Sequence, residues 1–388
     1  MLSLYSYLVA FFEWKISSIS LAEISSILLI VFTVFKWKKI CVDKSAYVLG
    51  AFLLWVLIAF FYMHDRFNFS PSSFINNYAR LVFYSIGCFV IPKYVFADNF
   101  DRVLEILKKV ALFLFVLGIV EFLFSLVGID LNFYPFSDTG SMMQSSMRIK
   151  TIFSEPANFC IFISVLNLIF IKTSVHEYKR EIIFCFILLL LAMSFTGYAL
   201  FIFLLLVYFN EKNNANAKKF IYGVIGGILV VGLLFVALSS LDFFYERVTV
   251  RLLNIFSGAD GSSIHRTLGA YEITAFGLSY SPYAGIGLGQ TVSFFSTVKI
   301  VAANFFVQDG NIGINNIFAM VAIETGIVGL IILNLFVVKY FRGKLDMYLF
   351  FVLFCFSWGL FNIALFWFLL YAGRTIVDRQ HELRESNT

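Results

Sequence analysis

The chain has 388 residues, 60% of them hydrophobic and 14% charged, with a mean hydropathy of +0.88. A soluble domain is nearer half apolar and a quarter charged, so a water-soluble fold cannot hide this much apolar surface, whereas lipid solvates it directly. The net charge is +5, but no Lys/Arg-rich run is interleaved with aromatics, which leaves nucleic-acid binding without support.

In chain order the apolar stretches are 2–12, 19–35, 45–62, 79–96, 107–128, 155–171, 182–209, 220–241, 313–338 and 346–372. Most suit one membrane span of about 20 residues. Met1 to Phe12 lacks the basic start and small-residue cleavage site of a signal peptide, and reads as a first short helix that stays attached. The connectors 36–44, 93–106, 172–181, 210–219, 339–345 and 373–388 carry most of the Lys and Arg, which assigns that side to the cytoplasm.

Two stretches have basic connectors at both ends. Residues 182–209 lie between Lys179-Arg180 and Lys212, with a polar turn, Ser194-Phe195-Thr196-Gly197, at their centre. Residues 346–372 lie between Lys344 and Arg374, with Trp358-Gly359 and Asn362 midway. A tight helical hairpin in each returns the chain to the cytoplasm; one long tilted helix is the competing reading. The expectation is an all-α polytopic membrane protein of about 10–12 transmembrane helices. It forms one transmembrane domain over 1–388, with both termini cytoplasmic. Two external connectors stand out, 129–154 and 242–312, and the longer is expected to be partly helical and functional. The five cysteines, Cys41, Cys88, Cys160, Cys185 and Cys355, have no CxxC spacing and read as small buried hydrophobes.

Four segments could carry chemistry. In Arg148-Ile-Lys150-Thr-Ile-Phe-Ser154-Glu155-Pro156, Pro156 suits a first helical turn and Ser154 or Glu155 can cap it. A helix N-terminus beside Arg148 and Lys150 favours an anion; the same residues suit a capped helix with basic side chains at lipid headgroups. Next, if His265 to Gly277 is helical, Arg266, Gly269, Ala270, Ile273 and Gly277 share a face, and its small residues allow close helix packing. A surface arginine on a loop helix is the plainer alternative. Third, Ser281-Pro-Tyr-Ala-Gly-Ile-Gly-Leu-Gly289 departs from GxGxxG and reads as a packed backbone turn. Last, Asn315-Asn316 open a helix that runs through Glu324-Thr-Gly326-Ile-Val-Gly329. Glu324 then lies about 12 Å along the axis, where a carboxyl needs a proton or a partner. Catalysis and structural hydrogen bonding are both open to it. Glu23 and Glu121 are further intramembrane carboxylates. No HExxH, P-loop or Ser-His-Asp order appears.

Taken in order, these segments over roughly 145–335 resemble the O-antigen polymerase (Wzy) and O-antigen ligase group of bacterial membrane glycosyltransferases. The resemblance rests on Arg148…Phe153-Ser-Glu155-Pro156, Ser194-Phe-Thr-Gly197, Arg266 with Gly277, Gly285-Ile-Gly287-Leu-Gly289 and Asn315-Asn316…Glu324-Thr-Gly326…Gly329. It implies a GT-C-like helical fold in the inner membrane, an active site facing the periplasm, and a role in lipopolysaccharide biosynthesis. The implied donor is a sugar chain on undecaprenyl diphosphate, so neither nucleotide, metal nor other cofactor is called for. A flippase and a chain-length regulator are implied partners, with membrane lipid.

The resemblance also implies that Arg148 and Arg266 stabilise the departing diphosphate, charge that develops in the transition state. Lys150 assists. Glu155, His265 and Glu324 complete the candidate catalytic set, and the base beside the acceptor hydroxyl is open between Glu155 and His265. Asn315, Asn316, Tyr271 and Gly277 join Lys150 as candidate substrate contacts. Ligases of this group carry His-Asn where this chain has Asn315-Asn316, and Asn is no general base at neutral pH, which favours a polymerase. A ligase or another polysaccharide polymerase is the nearest alternative; a lipid-linked oligosaccharide transporter is the alternative from a different class.

Overall fold

The computed structural model describes residues 2–16, 19–37, 43–64, 69–129, 131, 133, 149–212, 250, 253–254, 268–297, 316–357 and 364–385. The apolar stretch 220–241 and most of the external connectors lie outside these. The described residues are mostly helical, with one two-stranded ribbon, β1 (Lys15–Ile16) against β2 (Ile19–Ser20). Four of the described helices are long and apolar enough to cross a membrane: Lys44–His64, Pro156–Thr173, Phe195–Lys212 and Ile317–Tyr340. Helix length and apolarity thus define an α-helical membrane protein.

The chain divides into two compact units, one of residues 1–29 and 99–257, the other of residues 30–98 and 258–388. In the first, α1 (Leu2–Leu8) continues as a 3-10 turn to Phe11, and the ribbon leads into α2 (Leu21–Trp37), which runs on into the second unit. Ser20 and Glu23 start α2 as a reciprocal capping box. The Ser20 amide donates to Glu23 Oε2 (2.8 Å) and the Glu23 amide to Ser20 Oγ (3.1 Å). That gives Glu23 its partner. The body of this unit is α6 (Pro156–Thr173), packed against both α7 (Lys179–Leu191) and α8 (Phe195–Lys212).

The break expected at Ser194 is present. α7 ends at Leu191, Met193 takes a left-handed φ of 45°, and α8 starts at Phe195 and packs back on α7. Gly197 has a packing reason: a Cβ there would meet Cys160 Sγ at 2.6 Å, so only hydrogen lets α8 approach α6 this closely. α8 is longer than a half-crossing arm, at 18 residues.

In the second unit, α3 (Lys44–His64) and α4 (Pro71–Ile91) pack together, and α3 lies along α11 (Ile317–Tyr340). α9 (Leu268–Tyr280) also packs on α11, and the short α10 (Thr291–Thr297) precedes it in the chain. α12 (Leu345–Ser357) and α13 (Ala364–Glu385) follow. Trp358, Gly359 and Asn362, the expected hairpin turn, lie outside the described residues. Cys88, Cys160, Cys185 and Cys355 are buried and form no disulfide among the described residues, while Cys41 lies outside them.

One connector departs from expectation. Residues 93–106 were expected as a basic link, yet they are helical: a π-helical turn over Pro92–Phe96 runs into α5 (Ala97–Leu126), with a kink at Asn99. The charges sit on one face. Asp98, Asp101, Arg102 and Glu105 are exposed while Phe100, Val103, Leu104 and Leu107 are buried, which is the pattern of an amphipathic helix. Similarly α4 begins at Pro71, capped by Ser70 Oγ, eight residues before its apolar stretch.

Candidate functional site

The expected site residues fall into both units. Lys150 and Glu155 belong to the first; Asn316, Tyr271, Gly277 and Glu324 belong to the second. Arg148, Arg266, His265 and Asn315 lie outside the described residues.

In the first unit the segment before α6 is an irregular turn over Lys150–Ser154, closed by the Phe153 amide on the Lys150 carbonyl (3.0 Å). Thr151 sits at φ 49°, a left-handed conformation a β-branched residue rarely takes. Two carboxylates hold it. Glu121, buried in α5, accepts the Thr151 amide at 2.7 Å and the Lys150 amide at 3.2 Å. Glu13, just after the first helix, accepts the Ser154 amide (2.8 Å), the Ser154 hydroxyl (2.6 Å) and the Asn158 amide group. Between them Trp14 Nε1 donates to the Ile152 carbonyl (3.0 Å). Phe153 is buried among Phe12, Phe159 and Phe162, with ring centroids 5.5–5.7 Å away for the nearest pairs.

Burial pushes the Glu13 carboxyl above its ordinary value. Hydrogen bonds from Ser154 and Asn158 act against that without offsetting it, and the nearby Glu155 carboxylate adds to it. Glu155 is the N-cap residue, in extended conformation, and its exposed side chain makes no capping hydrogen bond. The expected side-chain cap by Ser154 or Glu155 is therefore replaced: Ser154 turns to Glu13 instead. Lys150 is half-buried. Glu13 was not among the expected residues, and no spacing signal points to it.

In the second unit the site is a broken helix with a loop set into it. At Gly326 α11 departs from helical dihedrals (φ 72°, ψ 179°). A continuous helix would hand the carbonyls of Ile323, Glu324 and Thr325 to residues one turn on. Here the Ile286 amide takes the Ile323 carbonyl (2.8 Å), the Gly287 amide that of Glu324 (3.0 Å), and Trp55 Nε1 that of Thr325 (2.8 Å). In return the Ile327 amide donates to the Pro282 carbonyl (3.0 Å). The break is thus chemically closed, as apolar surroundings demand.

Glycine is required at this contact. Gly285, Gly287 and Gly289 all have positive φ, and a Cβ on Gly285 or Gly326 would collide with the opposing backbone. The 281–289 segment is the packed turn that its sequence suggested. Gly277 of α9 faces Ile323, and Ala270, Ile273, Ile286, Phe294, Ala319 and Ile323 form a shared core.

Glu324 is buried beside the break, and its Oε1 accepts from Thr291 Oγ1 (2.8 Å). Asn316 is buried and caps α11, accepting the Ala319 amide at 3.1 Å. Tyr271 is about half exposed on α9. Among the described residues no three His, Cys, Asp or Glu side chains gather as metal ligands would. The chain matches no protein-family model and no curated protein sequence.

Proposed function

We propose that this protein is an O-antigen polymerase of the Wzy type. In this reading it joins oligosaccharide repeat units carried on undecaprenyl diphosphate at the periplasmic face of the bacterial inner membrane. The lipid diphosphate of the growing chain leaves as the acceptor hydroxyl of the next lipid-linked unit attacks the anomeric carbon. The proton of that hydroxyl passes to a base, and the new glycosidic bond replaces the sugar–phosphate bond. Arg148 and Arg266 act on the departing diphosphate, and Lys150 assists.

The observation that carries the reading is that segments far apart in sequence, on which the resemblance rests, meet in one substructure. The Gly285–Gly289 turn packs on the Ile323–Gly326 backbone, and Gly277 faces the Ile323 side chain of the same helix. Asn315 favours a polymerase over a ligase, since it stands where ligases of this group carry His and is no general base at neutral pH.

The test is purified protein in detergent with a defined undecaprenyl-diphosphate repeat unit as sole substrate, read on a gel. A ladder without added nucleotide or metal is expected. Transfer only once lipid A-core is supplied would replace polymerase with ligase. One observation favours a second reading, a lipid-linked oligosaccharide transporter: a discontinuous membrane helix with a carboxylate at its break is a feature of transporter sites. Proteoliposomes that move the lipid-linked unit across the bilayer, with no ladder, would establish it.

A further inference from the structure

The Lys150–Ser154 turn is held from both ends by acids from elsewhere in the chain. Glu121 binds its first two amides and Glu13 its last, while Trp14 holds the Ile152 carbonyl in the middle. Three amides and one carbonyl of the turn are therefore fixed by side chains from α5 or from the segment after α1. Gly118, one turn before Glu121 on α5, lets this contact form, because a Cβ there would press on Leu188 at 2.7 Å and Ile149 at 3.2 Å.

These bonds have a chemical consequence. The amides of Lys150, Thr151 and Ser154 already serve internal carboxylates, so they are not donors for a bound anion. The turn then offers an anion chiefly the Lys150 side chain, and the aim of that side chain depends on the turn. A turn containing Thr151 at φ 49° does not hold itself: the conformation costs of order 1–3 kcal/mol and persists only when its surroundings impose it.

We infer that Glu13 and Glu121 are positioning residues, which fix the turn and so aim the Lys150 side chain at the diphosphate. This rests on the polymerase reading. Neither carboxylate touches substrate. Each acts through the backbone it binds, and a cation misplaced by about 1 Å loses most of a transition-state contact.

The experiment uses full-length Glu13→Gln and Glu121→Gln, each read two ways. Gln keeps the size but replaces one acceptor oxygen with a donor, which opposes the amides. First, in detergent, Lys150→Cys is labelled with a maleimide, and labelling of the parent chain is subtracted for its native cysteines. Labelling is expected to speed up about threefold or more when either acid is changed, because the turn opens locally. Second, in the ladder assay, kcat is expected to fall about 10- to 100-fold with KM little changed, the pattern of a lost transition-state contact.

Unchanged labelling overturns the inference. Faster labelling with parental kcat also overturns it, since the acids would then be structural only. Glu13→Asp and Glu121→Asp serve where a Gln variant fails to elute as a single species. They keep the carboxylate at shorter reach, and intermediate labelling is expected. No ladder from the parent chain would sink the polymerase reading instead. The labelling arm then decides alone whether the two acids hold the turn.

Discussion

Asp43 shows how a single side chain can be read for its energetics. It precedes α3 and meets Arg374 of α13, Nη2 to Oδ2 at 2.8 Å; Arg374 also bonds Asp378 (2.9 Å) and the Tyr340 carbonyl (2.8 Å). Burial alone would raise the Asp43 carboxyl. The Ser45 hydroxyl, the Arg374 guanidinium and the amides of Ser45 and Ala46 more than offset that and hold it below its ordinary value. With a depressed folded-state value, the unfolded chain takes the proton first. The stability from Asp43 is therefore complete above the ordinary carboxylate value and is lost as pH falls through the folded one. Below about pH 4 the melting temperature of the parent chain in detergent should fall faster than that of Asp43→Asn, which starts lower. Parallel acid limbs would remove Asp43 from the linkage. At the same scale, Arg148→Ala and Arg266→Ala should each abolish the ladder while the protein still inserts. Arg266→Lys should keep little activity, since Lys lacks the planar fork; near-parental activity would mean that charge alone suffices.

Among elements, α11 and the turn set into it make the most specific demand. Gly326 lies at φ 72° and ψ 179°, a region open essentially to glycine. Gly326→Ala should cost about 1–3 kcal/mol in backbone strain alone, with more from its collision with Tyr283. Thermal unfolding in detergent measures it, and a neutral substitution would mean that the turn leaves the break easily. This element was partly legible. Alternating glycines after Pro282 announce a packed turn, and Gly326 and Gly329 announce a close contact, but nothing local says that they meet each other. The spacing of Ser20 and Glu23 fits a capping box, although Glu23 was expected only as an intramembrane carboxylate. The 93–106 segment was misread because its charges were taken as a connector, although the intervening apolar residues keep helical spacing. Glu13 had no signal, because its partners lie 141 and 145 residues away.

For the molecule as a whole, composition settled the solvent and little else. Apolar content places the chain in lipid, and the charge-poor α3, α6, α8 and α11 are long enough to span it. Orientation rests on the Lys and Arg of the connectors. A cysteine at Asn304, in a segment outside the described residues, should react with an impermeant label from the external side of intact cells. Labelling only after lysis would reverse the topology. Such a result would also move the Lys150–Ser154 turn to the other face of the membrane, away from any periplasmic glycan.

The long separation between Glu13 and Ser154 also sets a schedule for biogenesis. A ribosome adds about 5–20 residues each second, so on the order of ten seconds pass between Glu13 and the 141st residue after it. Throughout that interval the carboxyl has none of its three donors from Ser154 and Asn158 and must keep water or the headgroup region for company. The contact that fixes Glu13 is therefore completed only after α6 has been made, and a segment synthesised early reaches its place late.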